Sequence, residues 1–415
     1  MDDPDRYIGH NVATIRVRRG WSQQQLADKT IVDGKAISRS ALANYESGDR
    51  IVDSRKLLYA LATALQVSLA ELTGHAEDRH LSAASAFHLA APRIEAALMS
   101  AGQSDDDHEP AAVDLLARDA NRAMDLRMAG DLSSLGAILP TLITDCYRRT
   151  TLGAAVEREA AWAALSRAAF ATGLASKGLG LVSLSWNAAR VTAEAALACG
   201  DRVALAASEF VSSQVLLAMP GSVTASLGRA QSAIDSLEGD LTGSPEGMQL
   251  YGMLHLQASL ASAATGHESA GHLDEARDMA TRTAAVGDAF RLDFGRPNVD
   301  IWGMSVALEE GRGSDAIEIA ATVDHEQIAT AERRARYFIE LARGYSQEGE
   351  YPQAMAALLN AESIAPQYVR SRSIVRELSG YMLRKAKREL GTGELARFAE
   401  RVGALESHGL TSSRL

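Results

Sequence analysis

The chain has 415 residues, with 42 Lys and Arg against 53 Asp and Glu, a formal net charge of -11, 47% hydrophobic and 5% aromatic residues, and 9 prolines. A chain this long and apolar can bury a large core, and its acidic surplus excludes nucleic-acid binding spread over the whole surface. Alanine-rich composition predicts an all-α fold. No window forms an uninterrupted membrane span, and the acidic start Met1-Asp2-Asp3-Pro4-Asp5 is unlike a leader. Cys146 and Cys199 match no disulfide or metal spacing. A reduced cytoplasmic protein is expected, with no membrane partner, metal or cofactor.

In chain order, Ile8, Val12, Ile15 and Val17 outline a helix over residues 5–19 that Gly20 closes. Ser22 caps a second helix opening Gln23-Gln24-Gln25-Leu26-Ala27. Ser38 caps a third, which Gly48 ends by taking a positive φ. The segment between them, residues 28–37, is a long turn with Asp33-Gly34 in its middle and is expected to bulge. Leu57, Leu58, Leu61, Ala62 and Leu65 repeat at helical spacing, and Val67-Ser68-Leu69-Ala70-Glu71-Leu72 adds another capped turn. These make about five short helices, enough for a small core. Residues 1–75 hold ten Lys and Arg and nine Asp and Glu, net +1, so nucleic-acid contact is confined to this head. A head so weakly charged calls for two copies per complex, hence a dimer on a two-part operator.

Gly20 to Ala27, Ser38 to Gly48 and Val67 to Leu72 resemble, block by block, the Xre class of lambda-repressor and Cro-type helix-turn-helix domains. The class usually has a shorter turn between its two central helices. The resemblance implies that the recognition helix offers Arg39, Ser40 and Asn44 to base edges in the major groove of double-stranded DNA, Arg39 to a guanine and Asn44 to an adenine. It implies phosphate contacts from Gln23, Lys35, Ser38, Ser47 and Arg50. Arg16 and Glu46 match a structural ion pair that ties the first helix to the end of the recognition helix.

Residues 76–110 read as a linker. In it Leu81, Ala84, Phe87, Ala91, Ile94 and Leu98 form a connecting helix, bent or restarted at Pro92, before a mobile loop at Gly102-Gln103-Ser104-Asp105-Asp106-Asp107. From residue 111 to 415 helices alternate with breaks near Gly130, Gly153, Gly173, Gly200, Pro220-Gly221, Gly243-Ser244-Pro245, Gly266, Gly311, Gly349 and Gly391, which pair into about seven helical hairpins. Phe338, Leu341, Ala342, Tyr345, Gly349, Tyr351, Ala354, Leu358, Ala361 and Pro366 resemble the tetratricopeptide consensus. Trp162, Leu165, Ser166, Ala169 and Gly173 fit the first helix of another copy, and Leu273-Asp274-Glu275-Ala276 a second helix. This resemblance implies a right-handed α-solenoid whose first helices line a concave groove. Its register turns Arg336, Ile339, Arg343 and Ser346 inward, with Arg167 and Phe170, and Arg127, Glu209 and Asn298 in further copies. Arginines there suit a carboxylate-bearing ligand such as a short peptide. Trp162 falls where the consensus places a packing residue.

Enzyme motifs are thin. His267 and His272 stand five apart, off the zinc-protease spacing, and Gly178-Leu179-Gly180 lacks the strand and third glycine of a dinucleotide loop. The expected function is a transcription regulator that binds a palindromic operator as a homodimer, with a short signalling peptide or small molecule in the array. In architecture it is similar to the peptide-receptor regulators of Gram-positive quorum sensing. The alternative is a protein-interaction scaffold whose array recruits another regulator without sensing a ligand.

Overall fold

The computed structural model describes residues 7–73, 82–101, 109–239, 244–285, 287–370, 372–386 and 393–404. The acidic start, the loop expected at 102–107, and the breaks expected at Gly243 and Gly391 lie outside the described residues.

The head consists of α1 (Ile8–Arg18), α2 (Gln23–Lys29), β1 (Ile31–Val32), β2 (Lys35–Ala36), α3 (Arg39–Glu46), α4 (Arg55–Leu65) and α5 (Leu69–Thr73). Serines start four of these helices. Ser22 accepts from the Gln25 amide while the Gln25 side chain returns to the Ser22 amide, and Ser38 and Ser54 accept from Ala41 and Leu57. Ser68 and Glu71 cap α5 in the same reciprocal way. Val12, Leu26, Leu42, Leu61, Leu65 and Leu72 are fully buried in one cluster. Val17, expected on the apolar face of α1, is 63% exposed. Five residues beyond Val12, it is rotated well off that face.

The long turn after α2 is a β-hairpin and not an open bulge. Asp33 and Gly34 take φ of 50° and 73°, the positive pair that a two-residue turn of matching twist requires. Ile31 pairs with Ala36 and Val32 with Lys35, and the Ile37 amide extends the ladder to the Thr30 carbonyl at 3.1 Å.

Beyond the head, α6 (Ser82–Ser100) runs as one helix through Pro92, with no restart there. Six helical hairpins follow: α7 (Val113–Met128) with α8 (Leu132–Leu152), α9 (Ala155–Gly178) with α10 (Val182–Cys199), and α11 (Arg202–Leu217) with α12 (Val223–Glu238). Then come α13 (Pro245–Thr265) with α14 (Ala270–Arg282), α15 (Arg296–Glu309) with α16 (Gly313–Thr322), and α17 (Ala331–Gln347) with α18 (Tyr351–Ile364). After the short α19 (Pro366–Arg370), α20 (Ser373–Ala386) and α21 (Gly393–Arg401) form a seventh packed pair. The odd-numbered helices from α7 to α17 pack on one another in order, and the even-numbered helices from α10 to α16 pack against the odd ones on either side, so two rows run the length of the array.

One turn chemistry recurs between the rows. At Gly349, φ is 79° and the Glu350 amide donates back to the Tyr345 carbonyl at 2.8 Å, which satisfies the carbonyls left over at the end of α17. The same bond follows Gly130, Gly180, Gly266 and Gly311. The interval from Gly311 to Gly349 already exceeds the about 34 residues of a tetratricopeptide unit, and the other intervals are longer. A tetratricopeptide period is therefore too short for most of the array; α9 and α13 reach 24 and 21 residues. Gly173, expected to end a helix, lies inside α9. A Cβ there would stand 2.9 Å from Val211 Cγ1, and its carbonyl accepts from Ser185 Oγ at 2.7 Å. This glycine serves close packing between helices. Trp162 packs edge-on against Tyr147 on the flank of the main cluster. No helix among the described residues is long and apolar enough to cross a membrane.

The head is fastened to the array through helix ends. Glu309 accepts from the Lys56 amide at 2.9 Å and from Arg55 at 3.3 Å, and Glu377 accepts from the Ile8 amide at 2.9 Å. Both carboxylates are buried, and each meets the N-terminal end of a head helix, where unpaired amides and the helix dipole favour negative charge. Arg343 and Gln347 hold the Asp53 carbonyl and carboxylate, both at 2.9 Å, and the Tyr59 hydroxyl donates to the Leu217 carbonyl. Arg384 donates to the Gly48 carbonyl and lies over the Tyr7 ring at 4.0 Å.

Candidate nucleic-acid interface

The local chemistry of α3 sorts its residues by face. Leu42 turns into the core and is fully buried, Ser40 and Asn44 are exposed on the other side, and Arg39 is exposed at the start of the helix. Arg39 and Asn44 have no side-chain partner among the described residues. Their donors and acceptors are free for an incoming group. Ser38 spends its hydroxyl oxygen on the Ala41 amide at 3.1 Å and approaches Ser40 Oγ at 3.0 Å, which leaves the first amides of α3 directed outward.

Glu46, at the other end of α3, accepts from Arg16 Nε at 2.5 Å, from Arg16 Nη2 at 2.8 Å and from Gln23 Nε2 at 2.9 Å. The pair is shielded, with side-chain exposures of 13% and 6%. The hydrogen bond to Glu46 raises the Arg16 guanidinium above its ordinary value. Arg16 also donates to the Trp21 carbonyl at 2.7 Å, so one guanidinium joins α1, the start of α2 and the end of α3. The side chain of Gln23 is therefore occupied inside the head, and only its backbone amide, at the first position of α2, faces the outside.

The remaining expected phosphate contacts divide. Lys35, Ser47 and Arg50 are all exposed. Ser47 Oγ lies 2.7 Å from Asp49 Oδ2 and 3.2 Å from the Asn44 carbonyl, so its proton is already engaged. Arg50 lays its guanidinium over the Tyr45 ring at 5.4 Å and is exposed. Lys35 sits on β2 beside the hairpin tip. Asp33 at that tip pairs with Lys56 at 2.9 Å and abuts the turn at Gly266 of the array.

The residues expected in the groove of the array do not form one site. Arg127, Arg336 and Arg343 line a cavity of about 490 Å³ between head and array, with Ile339, whereas Arg167 and Phe170 line a second, smaller one of about 180 Å³. Glu209 pairs with Arg229 at 2.6 Å, and Asn298 is buried with its amide 3.4 Å from the Leu292 carbonyl. Arg55, Lys177, Arg333 and Arg372, none of them expected, also line the larger cavity. Two carried a signal: Lys177 continues the helical face of Arg167, Phe170 and Leu174, and Arg333 precedes Arg336 by one turn. Arg55 and Arg372 carried none, because their position depends on how head and array meet. Trp302, buried on α15, also lines the larger cavity, with Arg336 over its ring at 5.0 Å.

His272 Nδ1 stands 3.0 Å from His255 Nδ1 inside the array, and burial lowers the His255 imidazole to about 4. No group of three or more potential metal ligands occurs among the described residues.

Among known families, residues 12–72 match the family model HTH_3, described as Helix-turn-helix. This segment is an Xre-type helix-turn-helix domain, a type found in DNA-binding transcription regulators. No curated protein matches the chain.

Proposed function

We propose that this protein is a sequence-specific transcription regulator that binds a palindromic operator in double-stranded DNA as a homodimer. Arg39, Ser40 and Asn44 read base edges; the backbone amide of Gln23, with Lys35, Ser38 and Arg50, holds phosphates, while Ser47, engaged by Asp49, does not. Residues 1–75 act as the reading head, 76–110 as the connection, and 111–415 as a tetratricopeptide-type array that dimerises and takes the signal. That signal is a peptide or small molecule in the concave groove.

The observation that carries this reading is the division of the head into two sides. The fastenings to the array engage Tyr7, Ile8, Gly48, Asp53, Arg55, Lys56 and Tyr59. Arg39, Ser40 and Asn44 stay exposed. A head held from behind can enter a major groove without leaving the array, and whatever changes the fastening changes the angle and spacing of two such heads. The net charge of +1 on residues 1–75 supports the need for two of them.

The test is selection of fragmented genomic DNA by the full chain. Recovered fragments should share a motif of two inverted half-sites centred about one helical turn, roughly 34 Å, or a multiple of it apart. Recovery without a common motif would contradict the reading.

A further inference from the structure

The cavity between head and array has an unusual balance of charge and of hydrogen-bonding capacity. Eight Lys and Arg side chains and four Asp and Glu side chains line it, a positive surplus inside a chain of net -11. Glu340 is consumed by its own neighbours: it takes Arg343 at 2.6 Å, Ser305 at 2.9 Å and Arg336 at 3.6 Å. Lys177, Arg333 and Arg372 have no carboxylate partner among the described residues. The charges nearest Lys177 are the arginines 372, 336, 55 and 333, and burial among them brings its ammonium down to about 7. Four buried donors on lining residues lack an acceptor: Arg127 Nε, Arg343 Nε, Arg372 Nε and Trp302 Nε1. Unpaired buried donors and mutually repelling cations are both costly, and both are relieved by one kind of occupant.

We infer that this cavity binds a phosphorylated small molecule that carries at least two negative charges and an apolar or aromatic body, and that the ligand locks the head onto the array. A phosphate ester presents acceptor oxygens alone, which complements a site with donors to spare. A peptide would bring a backbone amide donor for nearly every carbonyl. The volume of about 490 Å³ is that of a small-molecule site, and Phe210, Met253 and Leu260 line an apolar part for the uncharged body. Coupling follows from the membership of the wall. Arg55 belongs to the head at the N-terminal end of α4, while Lys177, Arg333, Arg336 and Arg372 belong to the array. An anion between them draws the two together, and it does so beside the Asp53 carbonyl that Arg343 already holds.

This inference rests on the proposal that the array takes a ligand, and its test is made on the full chain without DNA, so failure of operator selection leaves it standing. Thermal unfolding is followed with ATP, inorganic pyrophosphate and hexaglutamate as probes. ATP should raise Tm by about 3 °C at a hundredfold excess over its Kd, with pyrophosphate weaker. Lys177→Met combined with Arg372→Met should abolish the shift, while its own ligand-free Tm stays at or above that of the parent, since two unpaired cations are gone. If the double variant fails to fold, Arg372→Gln alone should weaken ATP binding at least tenfold. Hydrogen exchange at the Arg55 to Tyr59 amides should slow on ATP binding. No shift with either phosphate-bearing probe, or an equal shift in the variants, which would place binding outside this cavity, overturns the inference. Stabilisation by hexaglutamate alone overturns the phosphate class.

Discussion

Arg16 shows how one side chain of the head can be worth more than its charge. Its guanidinium and the side-chain amide of Gln23 together saturate a nearly buried Glu46, so the three side chains behave as one unit. Removing one partner leaves the others desolvated and unpaired, whereas removing both charges leaves only packing to repair. Arg16→Met should therefore cost about 3 kcal/mol of stability in chemical denaturation, and Arg16→Met with Glu46→Leu clearly less. Equal losses in the two variants would show that the pair contributes nothing through mutual compensation. The reading face was legible at this scale for a plain reason. A capped helix of 8 residues that buries Leu42 must turn Ser40 and Asn44 away from the core, while Arg39 escapes burial as the first residue of the helix. The occupation of Gln23 and Ser47 was not legible, because it depends on where Glu46 and Asp49 come to rest after folding.

At the scale of elements, close approach sets the geometry of the head. Gly9 lies in α1 against the Tyr45 carbonyl of α3; a Cβ built there would stand 1.8 Å from that oxygen. The opposing atom is backbone and cannot rotate aside. Gly9→Ala should push α3 off α1 and destabilise the head by about 2 kcal/mol or more, read as a lowered midpoint in urea with an unchanged slope. A variant as stable as the parent would contradict this packing. The hairpin after α2 was written in Asp33-Gly34, a strong local turn signal, yet the flanking strands of two residues each are too short to show alternation. The helices of the array were legible from their glycine breaks where the glycine takes a positive φ. They were not legible at Gly173, where the same residue type answers a neighbour in α11. A glycine is punctuation or packing according to partners that lie far away in sequence.

For the whole molecule the decisive feature is the docking of head on array, which no periodicity foretells because it joins residues hundreds of positions apart. Glu377 is its most sensitive part. Burial pushes its carboxyl up to about 7, against the Ile8 and Val52 amides and Arg384, which pull it down, with Asp53 adding to the rise. Between an unfolded value of about 4.3 and this folded value, the unfolded chain has already lost a proton that the folded protein keeps, so this group lowers stability as pH rises through that window. Glu377→Gln should match the parent near about pH 4 and gain over it progressively toward about pH 8, in Tm measured across the range. Parallel profiles would show that Glu377 ionises freely in the docked state. The central claim, that α3 reads DNA while the array holds the head from behind, is tested most directly by repeating the genomic selection with full-length Arg39→Ala, Asn44→Ala protein. Both residues are exposed and unpartnered, so the variant should fold as the parent does. Preference should relax at the positions those side chains read, by about 1–3 kcal/mol for each lost contact, while nonspecific binding persists. An unchanged motif and affinity would contradict the claim.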